Sequence, residues 1–198
     1  MFYTLAGEGA YSGCPAFFVR LSGCNQKCWF CDTKYHRSGK EMRINEVVDA
    51  CLDSQAKIIV FTGGEPLLQG EELWLVMMAL LKKKRVHLET NGTIYHNKCL
   101  GLADYVCVSP KNKRKFDDWL KEYEKKPFLG ELEVKVVTDF ERVGHEFIEH
   151  ATSIMPLTTT NRKKDKEIRR KAWEYCVANT LRYSPRLQFE VWGKKRCK

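Results

Sequence analysis

Apolar and polar positions along the chain follow two periods, and the period switches repeatedly. Residues 16–21 (Ala-Phe-Phe-Val-Arg-Leu) form a short apolar run that reads as a strand. From Asn45, a residue suited to cap a helix, Val47, Val48, Cys51 and Leu52 recur on one helical face. Residues 57–61 (Lys-Ile-Ile-Val-Phe) are β-branched and nearly uninterrupted, as in a strand covered on both faces. Leu73, Val76, Met77, Leu80 and Leu81 give a helix over 71–81, and a strand follows at 86–90. Another strand at 105–109 leads into a helix with Phe116, Trp119, Leu120 and Tyr123 at i, i+3, i+4 and i+7. Leu132, Val134 and Val136 alternate in a strand ending near Thr138, and two helices, 142–150 and 166–177, flank a strand at 151–156. Repeated strand-helix units imply right-handed crossovers and a parallel sheet curling into a barrel or partial barrel.

Composition bounds this picture without changing it. The 198 residues fit one domain, 1–198, with a substantial core. No apolar run approaches membrane-spanning length, and the first residues lack the regions of a signal peptide, so a cytoplasmic location is expected. Nine cysteines in such a setting favour metal binding and free thiols over disulfides. Cys14, Cys51, Cys99, Cys107, Cys176 and Cys197 are read as small buried hydrophobes or incidental surface thiols, and His87, His145 and His150 as structural. The net charge of +9 comes from dispersed clusters, among them Lys82 to Arg85, Lys111 to Lys115, Arg162 to Lys164, Arg169 to Lys171 and Lys194 to Arg196. These are expected to be solvated ends and loops, with one face meeting an anionic partner or substrate.

The chemistry concentrates in Cys24, Cys28 and Cys31, a C-x3-C-x2-C run on a loop. Structural zinc takes four ligands, usually as two pairs, and no second pair stands at matching spacing. An iron-sulfur cube held by three thiolates keeps one iron open to a non-protein ligand. A zinc loop, or a disulfide with one spare thiol, is the alternative on spacing alone. In a parallel α/β barrel ligands meet the C-terminal ends of strands, and the unusual sequence collects there. After the cysteine loop come Thr62-Gly63-Gly64-Glu65-Pro66, Glu89-Thr90-Asn91-Gly92-Thr93 and Ser109-Pro110-Lys111. The two glycines are expected to let backbone approach a ligand closely.

With an aromatic residue, Phe30, before its last cysteine, the loop resembles that of the radical S-adenosylmethionine (SAM) superfamily. The resemblance implies an α/β fold, a partial (β/α)6-type parallel barrel of the radical SAM kind. Cys24, Cys28 and Cys31 would ligate a 4Fe-4S cluster whose open iron is chelated by SAM, and one-electron cleavage of SAM would give a 5'-deoxyadenosyl radical. A narrower similarity, to the 7-carboxy-7-deazaguanine synthase family, runs through Phe2 to Gly9, Phe18 to Cys24, Cys31-Asp32-Thr33, Phe61 to Leu68, Glu89 to Thr93, Ser109-Pro110-Lys111, Ser184 to Leu187 and Trp192-Gly193. It implies conversion of 6-carboxy-5,6,7,8-tetrahydropterin to 7-carboxy-7-deazaguanine with loss of ammonia, in queuosine and other 7-deazapurine biosynthesis. It also implies Leu5, Ala6, Gly7, Glu8, Arg20 and Thr62 at the pterin substrate. Phe30, Cys31, Asp32, Gly64, Glu65, Glu89, Asn91, Ser109, Pro110 and Lys111 would surround SAM, and Thr33 would ligate Mg2+. An electron donor such as flavodoxin or ferredoxin, and a homodimer, are the implied partners.

Arg20 suits a substrate carboxylate, being a fixed cation with a planar fork, and Mg2+ prefers hard oxygen ligands. Two positions depart from the family pattern. Ala6 stands where Gln is usual, and Gln188 where His is usual. Two other readings compete: a glycyl-radical-enzyme activase sharing the cysteine loop, and a basic metal-bearing nucleic-acid-binding module that stacks bases on Trp29 and Phe30.

Overall fold

A computed structural model describes residues 1–33, 36 and 38–193. Lys194, Lys195, Arg196 and Cys197, considered above for charge and as a thiol, lie outside the described residues. Two compact units are formed, Met1–Thr4 with Pro15–Leu132, and Leu5–Cys14 with Glu133–Lys198.

The first unit carries β1 (Phe2–Leu5), β2 (Pro15–Leu21), α1 (Ile44–Asp53), β3 (Ile58–Gly63), α2 (Gly70–Leu80), β4 (Arg85–Thr90), α3 (Asn97–Leu100), β5 (Tyr105–Val108) and α4 (Lys113–Lys125). Its strands lie in the order β1-β2-β3-β4-β5, and the order is open. From β2 to β5 every pairing is parallel, with Val19 beside Phe61, Phe61 beside Leu88 and Leu88 beside Val106. Strand β3 is buried from Ile58 to Thr62, as its unbroken apolar run predicts. Leu73, Val76, Met77 and Leu80 of α2 are buried, each contributing about 1.5–3 kcal/mol of apolar burial. On α4 Phe116 and Trp119 are buried and stack on each other, and Trp119 meets the rings of Tyr95, Tyr123 and Phe128. Parallel pairing puts the C-terminal ends of β2 to β5 on one side of the unit, so the loops after Leu21, Gly63, Thr90 and Val108 share that side.

In the second unit β6 (Glu131–Thr138), β7 (Ser153–Pro156) and β8 (Arg182–Tyr183) are also parallel, with Val136 beside Ile154 and Ile154 beside Tyr183. Helix α5 (Arg162–Asn179) starts where Asn161 Oδ1 accepts from the N–H groups of Lys163 (3.0 Å) and Lys164 (3.2 Å), and it buries Ile168, Ala172 and Cys176. Helix α6 (Leu187–Trp192) follows β8.

Some boundaries differ from the sequence expectation, for local reasons. The helix expected at 142–150 is a short 3-10 helix, His145–His150. Phe140 and Gly144 take left-handed φ values of 64° and 71°, and Asp139 Oδ1 accepts from the N–H groups of Glu141, Arg142 and Val143, so a compact turn uses up the segment. Helix α1 begins at Ile44, before the expected cap at Asn45; the Glu46 carboxylate takes the Arg43 N–H at 2.7 Å. The Asn161 cap extends α5 beyond 166–177 at its start. The short elements β1, α3, β8 and α6 were not expected; each has too few residues for a period to show.

His87 is buried in β4 against Tyr105, and burial, with Arg85 nearby, pushes it down to about 4, so it packs as a neutral ring. Cys51, Cys99, Cys107 and Cys176 are buried; burial pushes the Cys51 and Cys99 thiols up to about 12. Among the described residues no helix is long and apolar enough to cross a membrane.

Candidate active site

The cysteine loop leaves β2 and is fastened to the end of β3 by backbone. Gly64 N–H donates to Leu21 O (3.1 Å), and Glu65 N–H donates to Gly23 O (2.8 Å). Gln69 Nε2 donates to Ser22 O (2.9 Å). The two glycines exist for this contact. A Cβ at Gly63, whose φ is 148°, would lie 2.0 Å from Leu21 O, and one at Gly64 would lie 1.9 Å from Gly23 O and 2.8 Å from Cys24 Cβ. Their bareness admits the backbone at the end of β2 and at the start of the cysteine loop, a neighbour that the sequence reading did not include.

Glu65 is the hub of the next layer. It is 0% exposed, and its carboxylate accepts from the N–H groups of Leu67 (3.0 Å) and Asn91 (2.7 Å) and from the Thr90 hydroxyl (2.9 and 3.0 Å). Burial pushes its carboxyl upward against these donors, which favour the charged form. The Glu65 side chain thus welds the β3 end to the β4 end. Asn91 carries the link onward: Nδ2 donates to Asn25 Oδ1 (3.0 Å) and reaches Cys24 Sγ (3.9 Å), and Oδ1 accepts from Thr93 N–H (3.0 Å) and the Thr93 hydroxyl (2.6 Å). Asn25 in turn accepts this bond on the cysteine loop and donates to the Thr93 hydroxyl (2.8 Å). Sequence reading passed over Asn25, although an amide directly after a candidate ligand cysteine is a signal worth weighing.

Other expected residues of this unit fall around the same side. The Thr62 hydroxyl donates to Glu89 Oε2 (2.7 Å). Lys111 Nζ donates to the Ser109 carbonyl (2.8 Å) and hydroxyl (2.6 Å), and Pro110 is buried between them. Phe30 is half-buried with Trp29 edge-on at 5.6 Å, and Trp29 itself is 69% exposed. Asp32 is exposed and accepts from the Thr33 hydroxyl at 3.0 Å. Arg20 stands over the Phe2 ring at 5.9 Å, and its buried Nε has no hydrogen-bond partner among the described residues. That is an orphaned donor on a cation suited to a carboxylate.

The donor set fits an iron-sulfur group. Cys24, Cys28 and Cys31 are half-buried free thiols close enough to act on one another electrostatically. Burial raises the Cys28 and Cys31 thiols, and Lys111 works against the rise. Among the described residues no three Cys, His, Asp or Glu side chains converge on a single ion. A cube whose irons each take one thiolate needs no such convergence.

The expected substrate residues at the N-terminus belong to the second unit. Ala6 pairs with the hairpin backbone, its N–H to Cys14 O (2.8 Å) and its O from Gly13 N–H (2.7 Å). Leu5 is 56% exposed. Glu8 is the anchor: Lys135 Nζ lies 2.9 Å from Oε2, while Arg186 Nε (3.3 Å) and Gln188 Nε2 (2.7 Å) reach Oε1. Burial by itself would raise the Glu8 carboxyl; the two cations and the side-chain hydrogen bonds override it and hold it at about 2. Beside it the buried Glu133 accepts from Ala10 N–H (2.8 Å), the Ser153 hydroxyl and Arg182 (3.4 Å), and the Ser184 hydroxyl accepts from Gly9 N–H (2.8 Å). Gln188, the departure from His, supplies an N–H to Glu8 and packs flat on Gly7, where a Cβ would meet Oε1 at 2.0 Å. Glu133 and Lys135 escaped the sequence reading because charges alternating with Val134 and Val136 look like the wet face of a strand. Both are buried.

Comparison with known proteins adds lineage to this geometry. Residues 18–111 match the family model described as the Radical SAM superfamily. The chain is 41% identical over 117 residues to a 7-carboxy-7-deazaguanine synthase of Rhodospirillum rubrum, covering 57% of this chain and 49% of that protein. Against the protein of the same name from Pyrobaculum aerophilum it is 33% identical over 217 residues, covering 100% of this chain and 95% of that one. The chain spans about half the length of the first curated relatives it matches. Among solved structures, QueE from Escherichia coli superposes with a TM-score of 0.58 at 19% identity, covering 93% of this chain and 90% of that chain. SuiB from Streptococcus suis gives 0.57 at 13%, covering 85% and 48%. At these identities the structural likeness is one of fold.

Proposed function

The chain belongs to the 7-carboxy-7-deazaguanine synthase family of radical SAM proteins, and from that premise we propose that it converts 6-carboxy-5,6,7,8-tetrahydropterin to 7-carboxy-7-deazaguanine with loss of ammonia. The end-to-end match to the Pyrobaculum aerophilum protein carries this reading, and it favours a synthase over an activase or a nucleic-acid-binding module. Cys24, Cys28 and Cys31 would hold a 4Fe-4S cluster, and Phe30, Asp32, Gly64, Glu65, Glu89, Asn91, Ser109, Pro110 and Lys111 would line SAM. When bound, cluster and SAM supply one-electron reductive cleavage of the sulfonium. The protein's part is to place groups. Glu65, Asn91 and Asn25 fix the cysteine loop against two strand ends, so the thiolates are set before a ligand arrives. Arg20 offers its unpartnered Nε to a substrate carboxylate, Thr62 is oriented by Glu89, and Leu5, Ala6, Gly7 and Glu8 present the substrate edge of the second unit. Mg2+ at Thr33, a flavodoxin- or ferredoxin-like donor, a homodimer, a cytoplasmic location and one catalytic domain spanning 1–198 complete the proposal.

The test is anaerobic turnover of cluster-reconstituted protein with SAM, reductant, Mg2+ and 6-carboxytetrahydropterin, with product followed by chromatography. Formation of 7-carboxy-7-deazaguanine is expected. Release of 5'-deoxyadenosine without it would mean another substrate, and release of neither would sink the radical SAM assignment.

A further inference from the structure

Glu8 is gripped from two separate stretches of the second unit. Lys135 comes from the middle of β6, with its side chain 5% exposed and Nζ 2.9 Å from Oε2. Arg186 and Gln188 come from the tail and meet Oε1 at 3.3 and 2.7 Å, and Arg186 is itself seated over the Phe189 ring at 4.3 Å. Backbone bonds flank the grip: Leu187 N–H donates to Gly7 O (3.0 Å), Gly9 N–H to the Ser184 hydroxyl and Ala10 N–H to Glu133. A carboxylate offers about four lone-pair positions. Three donors occupy Glu8 among the described residues, two on Oε1 and one on Oε2, which leaves one position on Oε2 for an N–H of a ligand.

We propose that Lys135 is a positioning residue for the substrate: by fixing Oε2 of Glu8 it aims that last lone pair at an N–H donor on the ring edge of a pterin-class ligand. Arg186 steadies the other oxygen, and together they keep Glu8 an acceptor. The inference rests on the substrate role proposed above for Leu5, Ala6, Gly7 and Glu8. It assigns work to a β6 residue that contacts no ligand in that reading.

The test measures binding rather than turnover, using 6-carboxypterin fluorescence on cluster-reconstituted wild type, Lys135→Met, Lys135→Arg and the double variant Glu8→Gln/Lys135→Met. Uncoupled 5'-deoxyadenosine release from SAM is followed in parallel. The Met variant should bind roughly tenfold more weakly at neutral pH. Its loss should deepen as pH falls from about 7 to about 5, because a buried Glu8 facing only Arg186 takes up a proton and stops accepting. Wild type, with both Lys135 and Arg186 facing Glu8, should stay flat over that range. Arg should recover most of the affinity, and the double variant should bind no better than the Met variant. A folded Met variant with wild-type affinity and a flat pH profile overturns the proposal. Should Met fail to fold, the double variant, which removes the Glu8 charge together with that of Lys135, takes its place, and wild-type binding by it overturns the proposal equally. Wild type that cleaves SAM but binds no pterin would instead overturn the substrate reading, and this inference with it.

Discussion

The two units hold their candidate residues by opposite means. Around the cysteine loop, glycine contacts accompany neutral hydrogen bonds that converge on one carboxylate, Glu65, which accepts from two backbone N–H groups and the Thr90 hydroxyl. Around the N-terminal loop, ion pairs do the holding: Glu8 with Lys135 and Arg186, and Glu133 with Arg182. The first arrangement tolerates no added volume and has little electrostatic leverage. The second depends on charge. A region that must seat a cluster gains from rigid backbone, since misplacing a ligand by an ångström costs dearly; a region that must recognise polar ring edges gains from oriented charge.

The largest effect is expected at the proposed cluster ligands. Cys28→Ala should leave iron and sulfide content far below wild type after reconstitution and SAM cleavage at background, while circular dichroism stays native. Cleavage persisting in that variant would break the comparison at its base. Next, Gly64→Ala drives a Cβ into Gly23 O and should cost roughly 3 kcal/mol or more with loss of cluster uptake; denaturant melts paired with iron assays check both. The acid response of the second unit follows in size. Glu8 is held at about 2, below its ordinary 4.5, so its contribution is present above about pH 4.5 and is lost as pH falls toward 2. That amounts to about 3 kcal/mol at neutral pH. Glu8→Gln should be destabilised by up to that amount at pH 7, with the gap closing in acid; a constant gap would place the cost in packing instead of charge. Smallest is Gln188→His, which keeps an N–H for Glu8 and should shift stability by less than about 1 kcal/mol in thermal melts.

Legibility in the sequence divides along the same line. In the first unit each site motif is a run of neighbours, 24–31, 62–66, 89–93 and 109–111, standing directly after a strand whose apolar pattern announces it. The strands β2 to β5 and helices α2 and α4 were readable for the same reason. The role of Gly63 and Gly64 was not, because the partner that crowds them lies some forty residues earlier in the chain. In the second unit the clamp joins Glu8 to positions 135, 186 and 188, and no local period encodes such a contact. Lys135 and Glu133 even imitate an exposed face. The turn at 139–144 misled by composition alone: Phe140 in a left-handed conformation has no signature that competes with helical spacing.

The bond from Gly9 to Ser184 spans 175 residues and that from Gln188 to Glu8 spans 180, which sets a schedule for synthesis. At roughly 5–20 residues per second, the N-terminal loop is synthesised about 10 to 35 seconds before the tail residues that complete its fastening. The cysteine loop and its three strand-end partners are translated well inside that interval. A nascent chain halted before residue 184 would therefore hold Cys24, Cys28 and Cys31 and the grips of Glu133 and Lys135 on the N-terminal loop, but lack the tail's half of its fastening.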